Sequence, residues 1–168
     1  MTDIQFENFK RDIVGKDPLQ TAETFNNLSI EDKKDYLSKL EKESPVDYYN
    51  FIDRISEGAK NIFWNNERRL LLEEGKSTRN WTIEQIEEIM NINPKTGMMM
   101  KNAGRPSQSF DDSGKPVRDG KGNYTYYGHF MMSSLYNPWY SGEYRNIQAL
   151  TFLEYVKAIN YFVHGDKG

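Results

Sequence analysis

The sequence contains no cysteine, which removes disulfides, zinc ribbons and thiol nucleophiles from consideration together. Histidine is almost as scarce, with His129 and His164 the only two. Two imidazoles are too few for a site that divides metal binding and proton transfer among three or four of them. Any metal must draw its other ligands from Asp, Glu, Asn or water. No stretch approaches the roughly 20 apolar residues of a membrane-spanning helix. Met1-Thr2-Asp3-Ile4 lacks the basic start and apolar run of a secretory leader, so any export is expected to use another route. There is no internal repeat and no low-complexity tail.

What is present suits one domain, or one compact domain with a helical extension, within 168 residues. Apolar residues make up 37% and aromatics 14% of the chain, enough for a modest core built mostly from Phe, Tyr, Trp and Met. A charged fraction of 28% fits a soluble protein. The net charge of −3 is unevenly spread. Residues 1–60 carry 9 basic and 13 acidic side chains, whereas residues 101–168 carry 8 and 6. Nucleic acid would meet a mildly basic C-terminal third; an ordinary solvated surface explains the same charges.

The first half reads as helical. Asp3 is placed to cap a helix ending near Gly15. Ser29-Ile30-Glu31-Asp32 has capping-box spacing and opens a helix that stops before Pro45. From Val46, apolar residues recur at three- and four-residue steps through Tyr48, Ile52, Ile55, Ala59, Ile62 and Phe63. That pattern predicts a long helix running to Gly75, a natural residue to end it. Its apolar face suits packing against its own domain more than docking a partner. Thr82-Ile83-Glu84-Gln85 starts a short helix reaching about Asn91. From Asn93 to Asn123 the chain is rich in Gly, Pro, Ser, Asp and Lys, a long loop interrupted by Met98-Met99-Met100. Tyr124, Tyr126 and the alternation around Gly128 predict a strand. Thr151 and Glu154 form a third capping box, opening a helix through Leu153, Val156 and Ile159.

The candidate chemistry lies in the last forty residues. A strand carrying His129, a loop containing Asn146 and a helix leading to His164 together resemble a ββα-metal arrangement. There, one divalent ion neutralises charge developing on a phosphodiester, and a neutral imidazole takes the proton of the attacking water. An asparagine between strand and helix fixes the loop by side-chain-to-backbone hydrogen bonds. Each residue has a plainer reading too. His129 suits a core imidazole, Asn146 a turn former, and Glu154 the third helical position of its capping box. His164 is near the end of this sequence, where fraying is common. Arg145 suits either a phosphate or Glu143, and Lys115, Arg118 and Lys121 suit either a nucleic-acid-facing loop or water.

From about Glu67 to His164 the sequence resembles the polymorphic-toxin nucleases of the HNH/endonuclease VII superfamily with a Gly-His-His signature. The resemblance is carried first by Glu67-Arg68-Arg69-Leu70, Gly75-Lys76-Ser77-Thr78-Arg79-Asn80-Trp81-Thr82, Glu84-Gln85-Ile86 and Asn93-Pro94-Lys95. It continues through Gly114-Lys115-Pro116-Val117, Gly128-His129, Ser133 and Tyr136-Asn137-Pro138. Asn146-Ile147-Gln148, Leu150-Thr151, Glu154 and His164-Gly165 complete it. The order of these pieces is more specific than any one of them.

The resemblance implies an α+β protein, with a helical N-terminal segment (1–60) followed by a small ββα-metal, treble-clef-type domain (61–168). It implies a metal-dependent nuclease of interbacterial competition that hydrolyses DNA or RNA and needs one divalent ion (Mg, Mn, Ni or Zn). It also implies a cognate immunity protein, synthesis in the bacterial cytoplasm and delivery to a target cell by a specialised secretion system. The implied catalytic residues are His129 and Asn146, the metal ligands His129, Glu154 and His164, and the nucleic-acid contacts Lys115, Arg118, Lys121 and Arg145. The sequence departs from the family at two histidine positions, where Phe130 and Tyr155 stand. Phe130 cannot accept a proton, and a phenol with a pKa of about 10 is a poor neutral-pH ligand. Three accounts follow. His129 is the base, with metal on Glu154, His164 and a loop carboxylate such as Asp111, Asp112 or Asp119. Alternatively, both histidines bind metal and catalysis is slow. In the third, chemistry is lost and the protein binds an immunity protein or a nucleic acid.

Overall fold

The computed structural model describes residues 1–90, 105–106, 118, 121 and 124–164, with side chains in the last helix described through Ile159. Among these residues the chain is α+β. Helices α1 (Asp3–Asp12), α2 (Pro18–Asn26), α3 (Ile30–Glu43), α4 (Pro45–Glu74) and α5 (Ile83–Met90) come first. Strands β1 (Tyr126–Phe130) and β2 (Ile147–Thr151) and helix α6 (Phe152–His164) follow. No helix of the described residues is long and apolar enough to cross a membrane.

The helix boundaries are set locally. Thr2, extended at φ −77° and ψ 165°, caps α1 by accepting from the Gln5 N–H, and the Gln5 side chain returns a bond to the Thr2 N–H. Asp3, the expected cap, is instead the first helical residue, because the cap needs an extended backbone with its side-chain oxygen three residues before a free N–H. α1 closes at Asp12, short of Gly15, whose φ of 80° turns the chain. Asp17 and Gln20 then form a second reciprocal box around Pro18 and open α2, a helix absent from the sequence reading. Ser29 caps α3 as expected. Ser44 serves two helices: its N–H closes α3 on the Leu40 carbonyl, and its hydroxyl accepts from the Asp47 N–H at the start of α4. α4 ends at Glu74, just before Gly75 with its φ of 75°, and α5 opens on the Thr82–Gln85 box. The loop expected over 93–123, with Met98-Met99-Met100 inside it, falls almost wholly outside the described residues.

The chain divides into two compact units, Met1–Ile62 with Phe130–Ile147, and Phe63–His129 with Gln148–Gly168. In the first, α1, α2, α3 and the start of α4 enclose an aromatic core of Phe6, Phe9, Phe25, Tyr36 and Phe51 with Leu37, Leu40, Ile52 and Ile55. Several of its rings meet edge-on, with Phe9–Tyr36 at 4.5 Å and Tyr36–Phe51 at 5.1 Å between centroids. The segment between the strands belongs to this unit. Two 3₁₀ turns, Pro138–Tyr140 and Tyr144–Asn146, shape it. Trp139 packs on the core beneath the Lys34 ammonium, 4.4 Å from its ring, and Asn26 Nδ2 donates to the Gly142 carbonyl at 2.6 Å.

The second unit centres on Trp64, Trp81 and Tyr126, with Trp64–Tyr126 centroids at 6.0 Å and Trp81–Tyr126 at 5.7 Å. Glu67, with no exposed surface, accepts from Trp81 Nε1 at 3.2 Å and from the Thr78 N–H at 3.3 Å. Next to it in sequence, Arg68 is also buried and donates through Nε to the Ile89 carbonyl at 2.5 Å. Burial pulls the Arg68 guanidinium down to about 10.

Candidate functional site

β1 and β2 pair in a two-stranded sheet. The Met131 N–H donates to the Asn146 carbonyl at 2.8 Å and the Phe152 N–H to the Thr125 carbonyl at 3.0 Å. The strands are therefore antiparallel, and the register sets Gln148 opposite His129 and Leu150 opposite Tyr127. Side chains alternate along a strand, so Tyr127 and His129 share one face while Tyr126, Gly128 and Phe130 share the other. Tyr126 is buried, and its hydroxyl donates to Glu88 at 2.8 Å. α6 starts at the end of β2 and packs on the Tyr127 face. Tyr155 stacks on Tyr127 with centroids 3.9 Å apart and planes within 2°. His129 is half-buried on that helix-facing side. Phe130 projects to the other side, with the Lys60 ammonium 5.5 Å from its ring.

Asn146 ends the segment between the strands and is buried. Its Oδ1 accepts from the Met132 N–H at 2.8 Å, and its Nδ2 donates to the Met132 carbonyl at 3.0 Å. Both backbone groups of one residue are thereby held by one amide, a side-chain substitute for a strand rung. Asn146 and Arg145 belong to the first unit, His129 and Glu154 to the second.

Glu154 sits where its capping box predicts. Its Oε1 accepts from the Thr151 N–H at 2.9 Å, and its own N–H donates to Thr151 Oγ1 at 3.3 Å. The same carboxylate receives both arms of Arg79, Nη1 to Oε1 at 2.7 Å and Nη2 to Oε2 at 3.2 Å. That guanidinium, with the Thr151 bonds, holds the Glu154 carboxyl below the usual carboxylate range. As a metal ligand Glu154 does not fit while Arg79 stays in place. Three of about four lone-pair positions are taken, and the guanidinium charge opposes a second cation. Among the described residues no three His, Asp or Glu side chains are grouped to hold an ion. Asp111, Asp112, Asp119 and the His164 side chain lie outside them; His164 itself is the last residue of α6.

Of the basic residues singled out, Lys115 lies outside the described residues and Lys121 is exposed in a turn. Arg118 is exposed, with its guanidinium carbon 4.5 Å from the Tyr124 ring centre. Arg145 pairs at 3.7 Å with Glu143, which caps the 3₁₀ turn that holds Arg145, and is 75% exposed. Sequence reasoning missed Arg79 as the partner of Glu154, although it lies in a quoted motif.

Comparison with protein-family models, with curated proteins and with solved structures finds no match to this chain.

Proposed function

We propose that this protein is a metal-dependent nuclease of the interbacterial-toxin type, built on a ββα-metal domain. The observation that carries the reading is the position of His129. It stands on the α6-facing side of an antiparallel pair whose second strand leads directly into that helix. The Asn146 clamp on Met132 supports it further, because a hairpin that presents a catalytic side chain needs its connecting segment held. In this reading His129 accepts the proton of the attacking water. One divalent ion, when bound, neutralises charge on the phosphate. Glu154 remains with Arg79 and organises the start of α6. An immunity protein and a delivery apparatus follow from the family resemblance alone.

A second reading has its own observations. Tyr155, at a family histidine position, is committed to Tyr127, and Glu154 is committed to Arg79. Both favour a protein that keeps the scaffold and binds nucleic acid or an immunity protein without cutting. A plasmid-nicking assay with Mg²⁺, Mn²⁺, Ni²⁺ or Zn²⁺, repeated with His129→Ala, separates the two. Cleavage that needs metal and is lost in the variant supports the enzyme. No cleavage with any ion, from protein that is folded by circular dichroism, supports the binder.

A further inference from the structure

The second unit carries a ladder of arginines and tyrosines that the site residues do not account for. The Arg105 guanidinium carbon lies 4.0 Å from the Tyr124 ring centre and 5.1 Å from that of Tyr127. Arg118 lies over Tyr124 as well, at 4.5 Å. Tyr127 continues the ladder through its parallel stack on Tyr155. The Tyr124 N–H donates to the Tyr127 hydroxyl at 3.0 Å, which fixes the two tyrosines against each other.

A guanidinium held over a ring by the π-system still has an edge of five N–H donors that suits planar oxyanions. Among the described residues Arg105 has no carboxylate partner and donates no side-chain hydrogen bond. The charged and titratable groups that act on it are Tyr124, Tyr127, Tyr155 and the like-charged Arg118. It is also half-buried. A partly desolvated cation that uses none of its donors among the described residues is a costly arrangement that an oxyanion relieves. Tyr127, on which Arg105 rests, stands two residues from His129 on the same strand face.

We propose that Arg105, held by Tyr124 and Tyr127 and assisted by Arg118, is a receptor for a backbone phosphate of a nucleic-acid strand lying along the α6-facing side of the hairpin. This rests on the nuclease reading for its ligand, but its test does not depend on cleavage. The probe is a fluorescein-labelled single-stranded oligonucleotide, with the whole protein, EDTA present and KCl varied. Binding is read by anisotropy. Loss of a charge-assisted contact is expected to weaken binding about tenfold or more in Arg105→Ala and Arg105→Gln. The slope of log affinity against log salt is expected to fall by about 0.7. Arg105→Lys, which keeps the charge and loses the planar fork, falls between them and the parent, and Lys39→Ala binds like the parent. Inorganic phosphate at equal phosphate concentration does not compete.

Three Arg105 variants that are folded by circular dichroism and bind within twofold of the parent overturn the inference, as does an unchanged salt slope. Equal competition by inorganic phosphate also overturns it, by making the site one for free phosphate. If His129-dependent cleavage persists while Arg105 proves irrelevant to binding, only this inference fails. If binding depends on Arg105 and no ion supports cleavage, the enzyme reading fails and this one stands.

Discussion

Arg79 and Glu154, 75 residues apart in sequence, form a two-armed ion pair that joins three pieces of the second unit. Arg79 Nη1 also donates to the Ala149 carbonyl at 3.0 Å, and its guanidinium rests 4.5 Å from the Trp81 ring centre. Glu154 meanwhile binds the Thr151 N–H. One carboxylate thus ties the loop after α4, the end of β2 and the first turn of α6.

The two side chains are 34% and 40% exposed, so water screens their attraction. An Arg79→Met and Glu154→Gln double-mutant cycle, read by urea unfolding at neutral pH, is expected to give a coupling of about 0.5–1 kcal/mol. The Glu154 carboxyl is depressed from 4.5 in the folded state. Its contribution is therefore complete above that pH and is lost as the pH falls through the lower folded value. The parent and Glu154→Gln should converge in stability in acid; a constant difference down to the acid transition contradicts the assignment.

Removing the Asn146 amide leaves the Met132 N–H and carbonyl without their partner in a partly buried place. Asn146→Ala is expected to cost about 1–3 kcal/mol. Asn146→Asp keeps the acceptor for the Met132 N–H but sets a carboxylate oxygen against the Met132 carbonyl, and should recover no more than part of the loss. Chemical denaturation of the three proteins measures this, and parent-like stability in Asn146→Ala rules the clamp out as a stabilising feature.

Glu67 accepts two hydrogen bonds in a place closed to water. Glu67→Gln replaces one acceptor oxygen by an NH₂ that faces either the Thr78 N–H or the Trp81 indole N–H. A loss of about 1–2 kcal/mol is expected, within the range for a buried group that loses a hydrogen bond, together with a shift in tryptophan emission if the Trp81 N–H, which also donates to Ser77 Oγ at 3.0 Å, loses the carboxylate. Emission and stability both unchanged would refute the assignment.

Gly58 lies inside α4, where alanine normally adds about 1 kcal/mol of helix stability. Here an added Cβ would come within 2.0 Å of the Pro18 carbonyl oxygen and 2.8 Å of Ala22 Cβ. Backbone cannot swing away as a flexible side chain does. The clash outweighs the propensity, so Gly58→Ala should lower stability by about 2 kcal/mol. A thermal midpoint at or above that of the parent contradicts the close approach of α2 and α4.

The caps show how far local sequence reaches. Ser29, Thr82–Gln85 and Thr151–Glu154 each satisfy free N–H groups within three residues, so their helices were legible before any tertiary contact. Gly75 was legible for a similar reason, since a left-handed φ at a helix end is steric. Asp17-Pro18-Leu19-Gln20 carried the same kind of signal and went unread. The start of α1 slipped by one residue because Thr2 and Asp3 both satisfy the composition rule, and only the backbone angles separate them.

β2 was hidden for another reason. Ile147, Ala149 and Leu150 are buried and break the simple alternation of a half-exposed strand, and the partner that defines the strand lies 17 or more residues earlier. His129 and Asn146 stood out in the sequence by residue type, but the face His129 occupies depends on a register set by long-range hydrogen bonds. What the sequence determined alone was the set of helix starts, stops and capping carboxylates, whose energetics close within one turn. The tertiary structure decided which side chains met across the chain: Arg79 with Glu154, Asn146 with the Met132 backbone, two tyrosines with Arg105. Such pairings arise between segments far apart along the chain, where no periodicity or spacing rule connects the two residues.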